Sequence, residues 1–372
     1  MDDSALRHKS FFIALIFVLG LPSMTFSNDT AIKLPLKLKW VTKLKKEKVI
    51  TGRPYQFSSP NISGNNIYVG TASGYLYSLT ARNGHKNWHT KLSGGVYSEP
   101  VVEGEHVFVA DRKGTLYSLS RDSGKIEWQT EVGNEVSSRP LITDSDIYVV
   151  TVSKQLIAVD KEGHGKKWQT QKTAILPKMT IKGSSDPILY KSHIYVGYSD
   201  GIFVCYRASD GYAVWARQLS GILSQFTDVD ATPLIQNDVI YVSTTDGKTF
   251  ALTASDGRTI WETNAGGPNK LVLDNGRILV SGNGVLSALD VGSGRLIWEQ
   301  KFNEPEISAP AISGGLAVVA STQDKLYVVD TNDGDIKFQR FLSKGSFGAP
   351  LIHGNVVYIM TNSSRIFALQ GS

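Results

Sequence analysis

The feature that most constrains the fold is an aromatic residue that recurs about every 40 residues along this chain of 372 residues. All seven tryptophans fall on this column, and a phenylalanine fills its eighth place. The eight positions are Trp40, Trp88, Trp128, Trp168, Trp215, Trp261, Trp298 and Phe338. A fixed period of this length indicates a repeat architecture in which each unit packs against its neighbours.

Each repeat contains the same order of short apolar runs and turns. A proline comes first (Pro60 in the first full repeat), an apolar triplet such as Ile67–Val69 follows, and a turn then leads to a second apolar run. A turn that commonly ends in glycine, such as Gly84, then precedes the aromatic position by four residues. The runs are rich in β-branched and aromatic residues, which favour strands. Four strands in about 40 residues are typical of one blade of a β-propeller.

The two ends of the chain predict how the ring closes. The stretch 40–44 matches 88–92, the outermost strand of a repeat, whereas the last repeat stops at Leu369 after three strands. The N-terminal strand is therefore expected to complete the last blade and to remove an open sheet edge. The predicted fold is all-β, a single eight-bladed β-propeller of four-stranded antiparallel blades. We assign it to residues 38–370, after a linker at 28–37.

The first 27 residues have the composition of a secretory signal. Basic residues at 7–9 precede an apolar run from Phe11 to Leu21, and small and polar residues follow as far as Ser27. Cleavage after Ser27 is expected. The alternative is a retained membrane anchor, although an apolar run of eleven residues is short for a span of about 20 residues. No later segment of the sequence is predicted to cross a bilayer.

Charge and cysteine content narrow the function classes. The segment from Asn28 to Phe57 holds eight basic and two acidic residues, so its net charge is +6. This is more than the net charge of +5 of the whole chain. The rest of the chain is therefore nearly neutral, and a nucleic-acid-binding face is not predicted. The single cysteine, Cys205, cannot pair within the chain, and it lies far from the signal, where a lipid-attachment cysteine would be needed. A packed, inert thiol is expected.

The aromatic column is predicted to have a structural, blade-docking role. Each ring is expected to pack between neighbouring blades, so that Trp128→Ala costs ~3–5 kcal/mol of stability. The seven histidines are scattered, and no HExxH motif or Cys/His cluster occurs. The Asp-Gly and Ser-Gly pairs recur at turns, where glycine provides the required backbone angles. No catalytic residue, metal site or cofactor is predicted.

Two connections between repeats are longer than the rest, at about 174–186 and 219–231, and they join neighbouring blades. Insertions on one face of a repeat protein commonly form its binding face. The first connection places apolar residues beside lysines, and the second places Asp228 and Asp230 on one side of an extended chain. Apolar anchors with rim charges suit a protein partner. The alternative is that these are connections without a partner.

The repeat pattern Ala/Ser-Leu-x-x-x-x-Gly-x-x-x-Trp resembles the PQQ-type propeller repeat. Three further motifs resemble the family of outer-membrane protein assembly factors called BamB, and these are Ser138–Pro140, Lys182–Pro187 and Asp228–Pro233. Members of that family are lipoproteins, and this sequence departs from them because no cysteine follows its apolar signal segment.

The resemblance implies a non-catalytic periplasmic scaffold, associated with the outer membrane, that binds a periplasmic domain of the barrel-inserting outer-membrane protein. It also implies a role in presenting unfolded outer-membrane precursors. The family's partner-binding positions correspond to Met179, Ile181 and Lys182 on one connection and to Asp228 and Asp230 on the other. Two alternatives remain open: a quinoprotein dehydrogenase that uses pyrroloquinoline quinone, and an exported propeller that binds an unrelated protein or glycan.

Overall fold

The computed structural model describes residues 31–45, 56–170, 184–219 and 228–372, which form eight four-stranded antiparallel sheets. No helix occurs within these ranges, and so none of the described residues forms a helix that could cross a membrane. Both the predicted all-β class and the predicted number of blades are confirmed. The predicted signal segment, 1–27, lies outside the described residues.

Each blade begins with a short inner strand and ends with an outer strand at the rim. Blade 1 consists of β2 (Asn61–Ser63), β3 (Asn66–Gly70), β4 (Tyr75–Thr80) and β5 (Lys86–Lys91), and blade 2 of β6 (Val101–Glu103), β7 (His106–Ala110), β8 (Thr115–Ser120) and β9 (Ile126–Glu131). Blade 3 consists of β10 (Leu141–Ile142), β11 (Asp146–Val150), β12 (Leu156–Asp160) and β13 (Lys166–Gln169), and blade 4 of β14 (Ile188–Tyr190), β15 (His193–Gly197), β16 (Ile202–Arg207) and β17 (Ala213–Gln218). Blade 5 consists of β18 (Leu234–Gln236), β19 (Val239–Ser243), β20 (Thr249–Thr253) and β21 (Thr259–Thr263), and blade 6 of β22 (Val272–Asp274), β23 (Arg277–Gly282), β24 (Val285–Asp290) and β25 (Leu296–Lys301). Blade 7 consists of β26 (Ala311–Ser313), β27 (Leu316–Ala320), β28 (Lys325–Asp330) and β29 (Ile336–Phe341), and blade 8 of β30 (Leu351–His353), β31 (Val356–Thr361), β32 (Arg365–Gly371) and β1 (Leu36–Lys43).

The composition of the strands follows their position in the blade. The two middle strands are buried on both faces; in β4 every residue before Thr80 is buried. The outer strand β5 alternates exposed and half-buried residues, because only its inward face packs against the next blade. The core therefore consists of separate apolar clusters between successive sheets, each built from the facing strands of two blades.

The ring closes as predicted, because β1 pairs with β32 from Leu36 opposite Gly371 to Lys43 opposite Arg365. The boundaries differ slightly from the expected ones. The strand starts at Leu36, two residues inside the assigned linker, and β32 continues to Gly371. Ile32 and Leu36 are buried in the cluster between blades 7 and 8, so this part of the linker segment belongs to the core.

Strand direction defines two faces of the ring. In an antiparallel sheet of four strands, the turn between the second and third strands lies at the same end as the exit from the fourth strand. We call this end the connection face, because every link from one blade to the next begins and ends there. The turns between the first two strands and between the last two lie on the opposite face.

Candidate functional site

A cavity of about 730 Å³ lies on the axis of the ring and is lined by residues from all eight blades. The residue immediately before the repeated proline (or Leu271 in blade 6) contributes to its wall in every blade. We call this set the channel ring; it comprises Ser59, Glu99, Arg139, Asp186, Thr232, Lys270, Ala309 and Ala349. Its charged members and Thr232 occupy blades 2 to 6, and the small residues Ala309, Ala349 and Ser59 occupy blades 7, 8 and 1. The cavity is therefore chemically asymmetric.

The carboxylates of the channel ring are held by neighbouring blades. Glu99 accepts a hydrogen bond of 2.8 Å from the Asn61 side chain and lies 3.7 Å from the Arg139 guanidinium. The two oxygens of Asp186 accept hydrogen bonds from the backbone N–H of Arg139, at 2.7 Å, and from the Thr232 hydroxyl, at 2.8 Å. These contacts cross from blade to blade, so they hold the residues of the channel ring in place and provide hydrogen-bond donors to its carboxylates.

Three aromatic side chains form a second feature of the cavity wall, which we call the aromatic cluster: Phe57, Tyr97 and Phe347. The ring centroid of Phe57 lies 5.0 Å from that of Tyr97 and 4.8 Å from that of Phe347. The Arg112 guanidinium lies 4.7 Å from the Tyr97 centroid and pairs with Glu135 through two hydrogen bonds. The cluster belongs to the links that enter blades 1, 2 and 8.

The two long connections run from β13 to β14 and from β17 to β18, so both join blade 4 to a neighbouring blade, and the strand ends that they link lie on the connection face. Residues 171–183 and 220–227 lie outside the described residues. Met179, Ile181 and Lys182 lie outside the described residues, and their part in partner binding stays a prediction.

The expected exposure of the two aspartates is wrong. Asp228 and Asp230 are 0% and 4% exposed, respectively. Val229 between them is fully buried, and its N–H donates to the Tyr198 carbonyl at 3.1 Å. The Asp228 carbonyl accepts from the N–H and the hydroxyl of Thr245, which draws this stretch against the next blade. The pair cannot act as a solvated rim in this conformation; Asp230 instead lines the axial cavity.

The aromatic column lies on the outer strands, and each member pairs across the strand with a small residue, most of them alanine or serine. The pairs are Trp40 with Ala368, Trp88 with Ser78, Trp128 with Ser118, Trp168 with Ala158, Trp215 with Cys205, Trp261 with Ala251, Trp298 with Ala288, and Phe338 with Val328. Five indole N–H groups donate to a backbone carbonyl of the next blade; that of Trp88 bonds to Arg121 at 2.9 Å. Their contribution to stability stays a prediction.

Burial of the single cysteine matches its place among the small residues that lie opposite the aromatic rings. Cys205 is 1% exposed, and burial raises the pKa of its thiol to about 11. Within the described ranges, no group of three or more His, Cys, Asp or Glu side chains is arranged to hold a metal ion.

The sequence reasoning missed the channel ring and the aromatic cluster. A signal for both was present, because the ring occupies the position before each proline and the aromatic residues lie three positions before it. Periodicity identified the proline column as the start of each repeat, but it did not show that the preceding residues face the ring axis. That placement depends on closure of the ring.

Fold and repeat together define the class: an eight-bladed propeller built from PQQ-type repeats. The family model described as "Outer membrane protein assembly factor BamB" matches residues 74–283 and 250–372. The chain belongs to this family.

The sequence identity between this chain and individual relatives is low. The outer membrane protein assembly factor BamB of Legionella pneumophila is 28% identical over 203 residues, which are 53% of each chain. The match thus spans about half the length of that relative. The crystal structure of BamB from Moraxella catarrhalis has a TM-score of 0.76 at 17% identity, over 90% of this chain and all of the other. A quinohemoprotein alcohol dehydrogenase from Pseudomonas putida has a TM-score of 0.73 at 11% identity, over 90% of this chain and 76% of the other. At such identities the structural likeness shows the fold alone.

Proposed function

We propose that this protein is a non-catalytic periplasmic scaffold, an accessory of the outer-membrane β-barrel assembly machinery that binds a periplasmic domain of the barrel-inserting protein. The observation that carries the proposal is family membership combined with two enlarged connections whose linked strand ends lie on the same face of the ring, on either side of blade 4. Propeller rims and faces are rigid platforms, and functional residues concentrate on the links between their strands.

The proposed docking surface consists of the two connections, about 174–186 and 219–231. Met179 and Ile181 would be its apolar anchors, and Lys182 would provide a charge at its edge, a composition that suits a protein interface. Asp228 and Asp230 would act as positioning residues beneath it. Their burial, and the backbone bonds that tie this stretch to blades 4 and 5, support that division of roles.

Site-specific photocrosslinking tests the docking surface. A photoreactive amino acid at Met179 or Ile181 is expected to give a covalent adduct with the barrel-inserting outer-membrane protein in cell envelopes. Tyr212 provides a matched control, because it lies in blade 4, which the connection with Met179 and Ile181 enters. It is 63% exposed and occupies the turn between β16 and β17 on the opposite face. Adducts from Tyr212 but not from Met179 or Ile181 would refute the proposed surface.

Charge variants separate contact from positioning. Lys182→Glu is expected to reduce recovery of the partner while the thermal midpoint stays unchanged, as for an edge charge. Asp228→Lys combined with Asp230→Lys is expected to lower both partner recovery and the thermal midpoint, because each change replaces a buried acidic side chain with a longer one of opposite charge. Unchanged partner recovery in both variants would contradict the proposal.

A role in presenting unfolded barrel precursors belongs to the same proposal. The scaffold is expected to be found in the periplasm and to sediment with outer-membrane fractions through its partner. Depletion of the partner should release it into the soluble fraction. Sedimentation that is unaffected by depletion would show that something other than this docking surface holds the protein at the membrane.

A further inference from the structure

Charge is distributed unevenly around the ring. The stretches 336–372, 31–45 and 56–98 together hold twelve basic residues and no acidic residue. They comprise the outer strand of blade 7, blades 8 and 1, and the described parts of the links between these blades, and we call them the basic sector. The other described residues include nineteen basic and thirty acidic ones, a net charge of −11. The protein is therefore electrically polar across the ring, although its net charge is small.

The basic side chains of this sector face solvent, and eleven of the twelve are exposed. Lys337, at the border of the sector, pairs with acids of blade 7. Lys37, Lys39 and Lys43 lie on β1, the outer strand of blade 8, and none of the three forms an ion pair with a residue that the structure describes. Lys43 is moreover the cross-strand neighbour of Arg365. Like charges directly opposite each other destabilise a sheet, so this arrangement does not serve the stability of blade 8.

Protection of the sheet edges does not account for the sign of the charge. Charged side chains on an outer strand discourage pairing with another chain, and either sign serves this purpose. The outer strand of blade 2, β9, carries Glu127 and Glu131 and no basic residue, whereas that of blade 1, β5, carries Lys86 and Lys91 and no acidic residue. Both blades nevertheless have the same fold. The accumulation of one sign over two adjacent blades therefore indicates a ligand of the opposite charge.

Two features favour an anionic lipid surface as this ligand. Nine of the twelve basic residues are lysines, whose mobile and strongly hydrated ammonium groups suit a diffuse array of charges, whereas the planar fork of arginine suits directed pairing with single carboxylates. The lysines of β1 are also interspersed with apolar side chains, because Leu38 is 47% exposed and Val41 is 45% exposed. Basic and apolar side chains together attach peripheral segments to the interface of an anionic bilayer.

We propose that the basic sector binds the surface of an anionic phospholipid bilayer, with β1 closest to the headgroups. The same surface repels the negatively charged remainder of the ring, so the protein is oriented with blade 8 towards the membrane. Blade 4 lies opposite blade 8 in a ring of eight, so the two long connections are on the side away from the bilayer. Physiological salt screens the attraction, which therefore orients the protein without replacing its partner. The inference does not depend on the partner proposed above.

Cosedimentation of the full mature protein with lipid vesicles tests the ligand class. One set of vesicles contains phosphatidylcholine alone, and the other contains phosphatidylcholine and phosphatidylglycerol in equal parts. Binding is expected only to the second set, and it should fall at least about tenfold when the salt concentration rises from about 0.05 M to about 0.5 M. Equal binding to both sets, or binding to neither, would overturn the proposal.

Removal of the three lysines on β1 assigns the binding to this strand. Lys37→Gln, Lys39→Gln and Lys43→Gln combined should weaken binding to the phosphatidylglycerol vesicles about 100-fold at low salt, because each lysine near an anionic surface contributes about fivefold. The thermal midpoint should not fall, since the three side chains are exposed and the repulsion between Lys43 and Arg365 is removed. Vesicle binding that matches the parent would overturn the placement of β1 at the headgroups.

A second triple variant separates position from net charge. Lys125, Lys166 and Lys270 are exposed, lie outside the basic sector and form no ion pair with a residue in the described ranges. Lys125→Gln, Lys166→Gln and Lys270→Gln combined remove the same amount of charge, but they should weaken vesicle binding less than about threefold, because distant charges are screened. An equal loss in the two triple variants would show that net charge, and not the basic sector, is responsible.

The other occupant with suitable charge is an acidic protein segment, for which soluble poly-glutamate is the probe. Binding of poly-glutamate at low salt without any binding to the phosphatidylglycerol vesicles would overturn the proposal in favour of a protein. The result is also distinguishable from that of the docking surface, because the triple variant of β1 should retain the photocrosslinks at Met179 and Ile181. Loss of vesicle binding with intact crosslinking supports a second, independent surface.

Discussion

Two neighbouring blade joints, where one blade packs against the next, have different residues at the turn position that the indole contacts. In the joint between blades 1 and 2, Trp88 lies over Gly124, whose φ of 68° is left-handed. In the joint between blades 2 and 3, Trp128 lies against His164, which has a similar φ of 58° although it is not glycine. Both turns accept the same hydrogen bond, because the hydroxyls of Thr90 and Thr130 donate to the carbonyls of Gly124 and His164, respectively.

The difference lies in how the indole is held. A Cβ on Gly124 would be 2.4 Å from the Trp88 ring, so that joint has no room for a side chain. In the other joint the imidazole stacks on the indole of Trp128, with centroids 4.5 Å apart and planes 20° apart. Trp88 also donates its N–H to Arg121, whereas the indole N–H of Trp128 has no hydrogen bond with a residue in the described ranges. Stacking thus takes the place of close backbone contact.

The largest effect is expected from removing the indoles. Trp88→Ala and Trp128→Ala should each cost ~3–5 kcal/mol, because each leaves a large cavity between blades. Trp88→Ala also removes the hydrogen bond to Arg121, and Trp128→Ala also removes the stack on His164, each worth about 1 kcal/mol, so the two costs should agree within about 1 kcal/mol. Denaturant unfolding of the two variants measures both costs, with Phe341→Ala at the exposed rim as the control. A difference well above about 1 kcal/mol would show that stacking does not replace the hydrogen bond.

A side chain at Gly124 should be the next most harmful change. Gly124→Ala is expected to cost about 2–4 kcal/mol, through the left-handed backbone and the contact with Trp88. Gly104→Ala is the matched control, because Gly104 has a φ of 56° but its added Cβ would meet nothing within 4 Å. The control should cost about 1–2 kcal/mol. If the two variants unfold at the same denaturant concentration, steric contact with the indole is not the reason for glycine here.

Substitutions of His164 should be milder. His164→Ala is expected to cost about 1 kcal/mol, because it loses the stack on Trp128 while the backbone remains left-handed. His164→Gly should differ from the parent by no more than about 0.5 kcal/mol, since relief of backbone strain offsets the lost stack. Thermal unfolding of both variants, side by side, tests this order. A glycine variant less stable than the alanine variant would contradict the account.

The smallest effect concerns Cys205, which lies opposite Trp215 in the joint between blades 4 and 5. Burial raises its pKa to about 11, so the thiol stays protonated at pH 8 and lacks the reactive thiolate. Iodoacetamide at pH 8 should leave the folded protein unmodified in a mass spectrum and should alkylate it after unfolding in denaturant. Rapid alkylation of the folded protein would show that this joint opens more readily than its burial indicates.

The repeat predicted the aromatic residue of each joint from sequence alone, and the strand register then showed which small residue lies opposite it. That pairing is local: strand pairing places Ser78 beside Trp88, ten residues away, and the same spacing recurs in most of the other blades. His164 was not recognised as a replacement for glycine, because a histidine in a turn has many ordinary explanations. Only the coordinates show its φ and its stack on Trp128.

The sequence by itself determined the strands, the number of blades and the closure by β1, because these depend on patterns within about 40 residues and on a match between the chain ends. The tertiary structure alone decided which residues meet at the axis and which acids are buried. Phe57 and Phe347 are 290 positions apart in the chain, yet their rings are 4.8 Å apart. Asp228 and Asp230 are buried because Val229 packs into the core between two blades. Closing eight sheets around one axis creates such neighbours, and no local pattern encodes them.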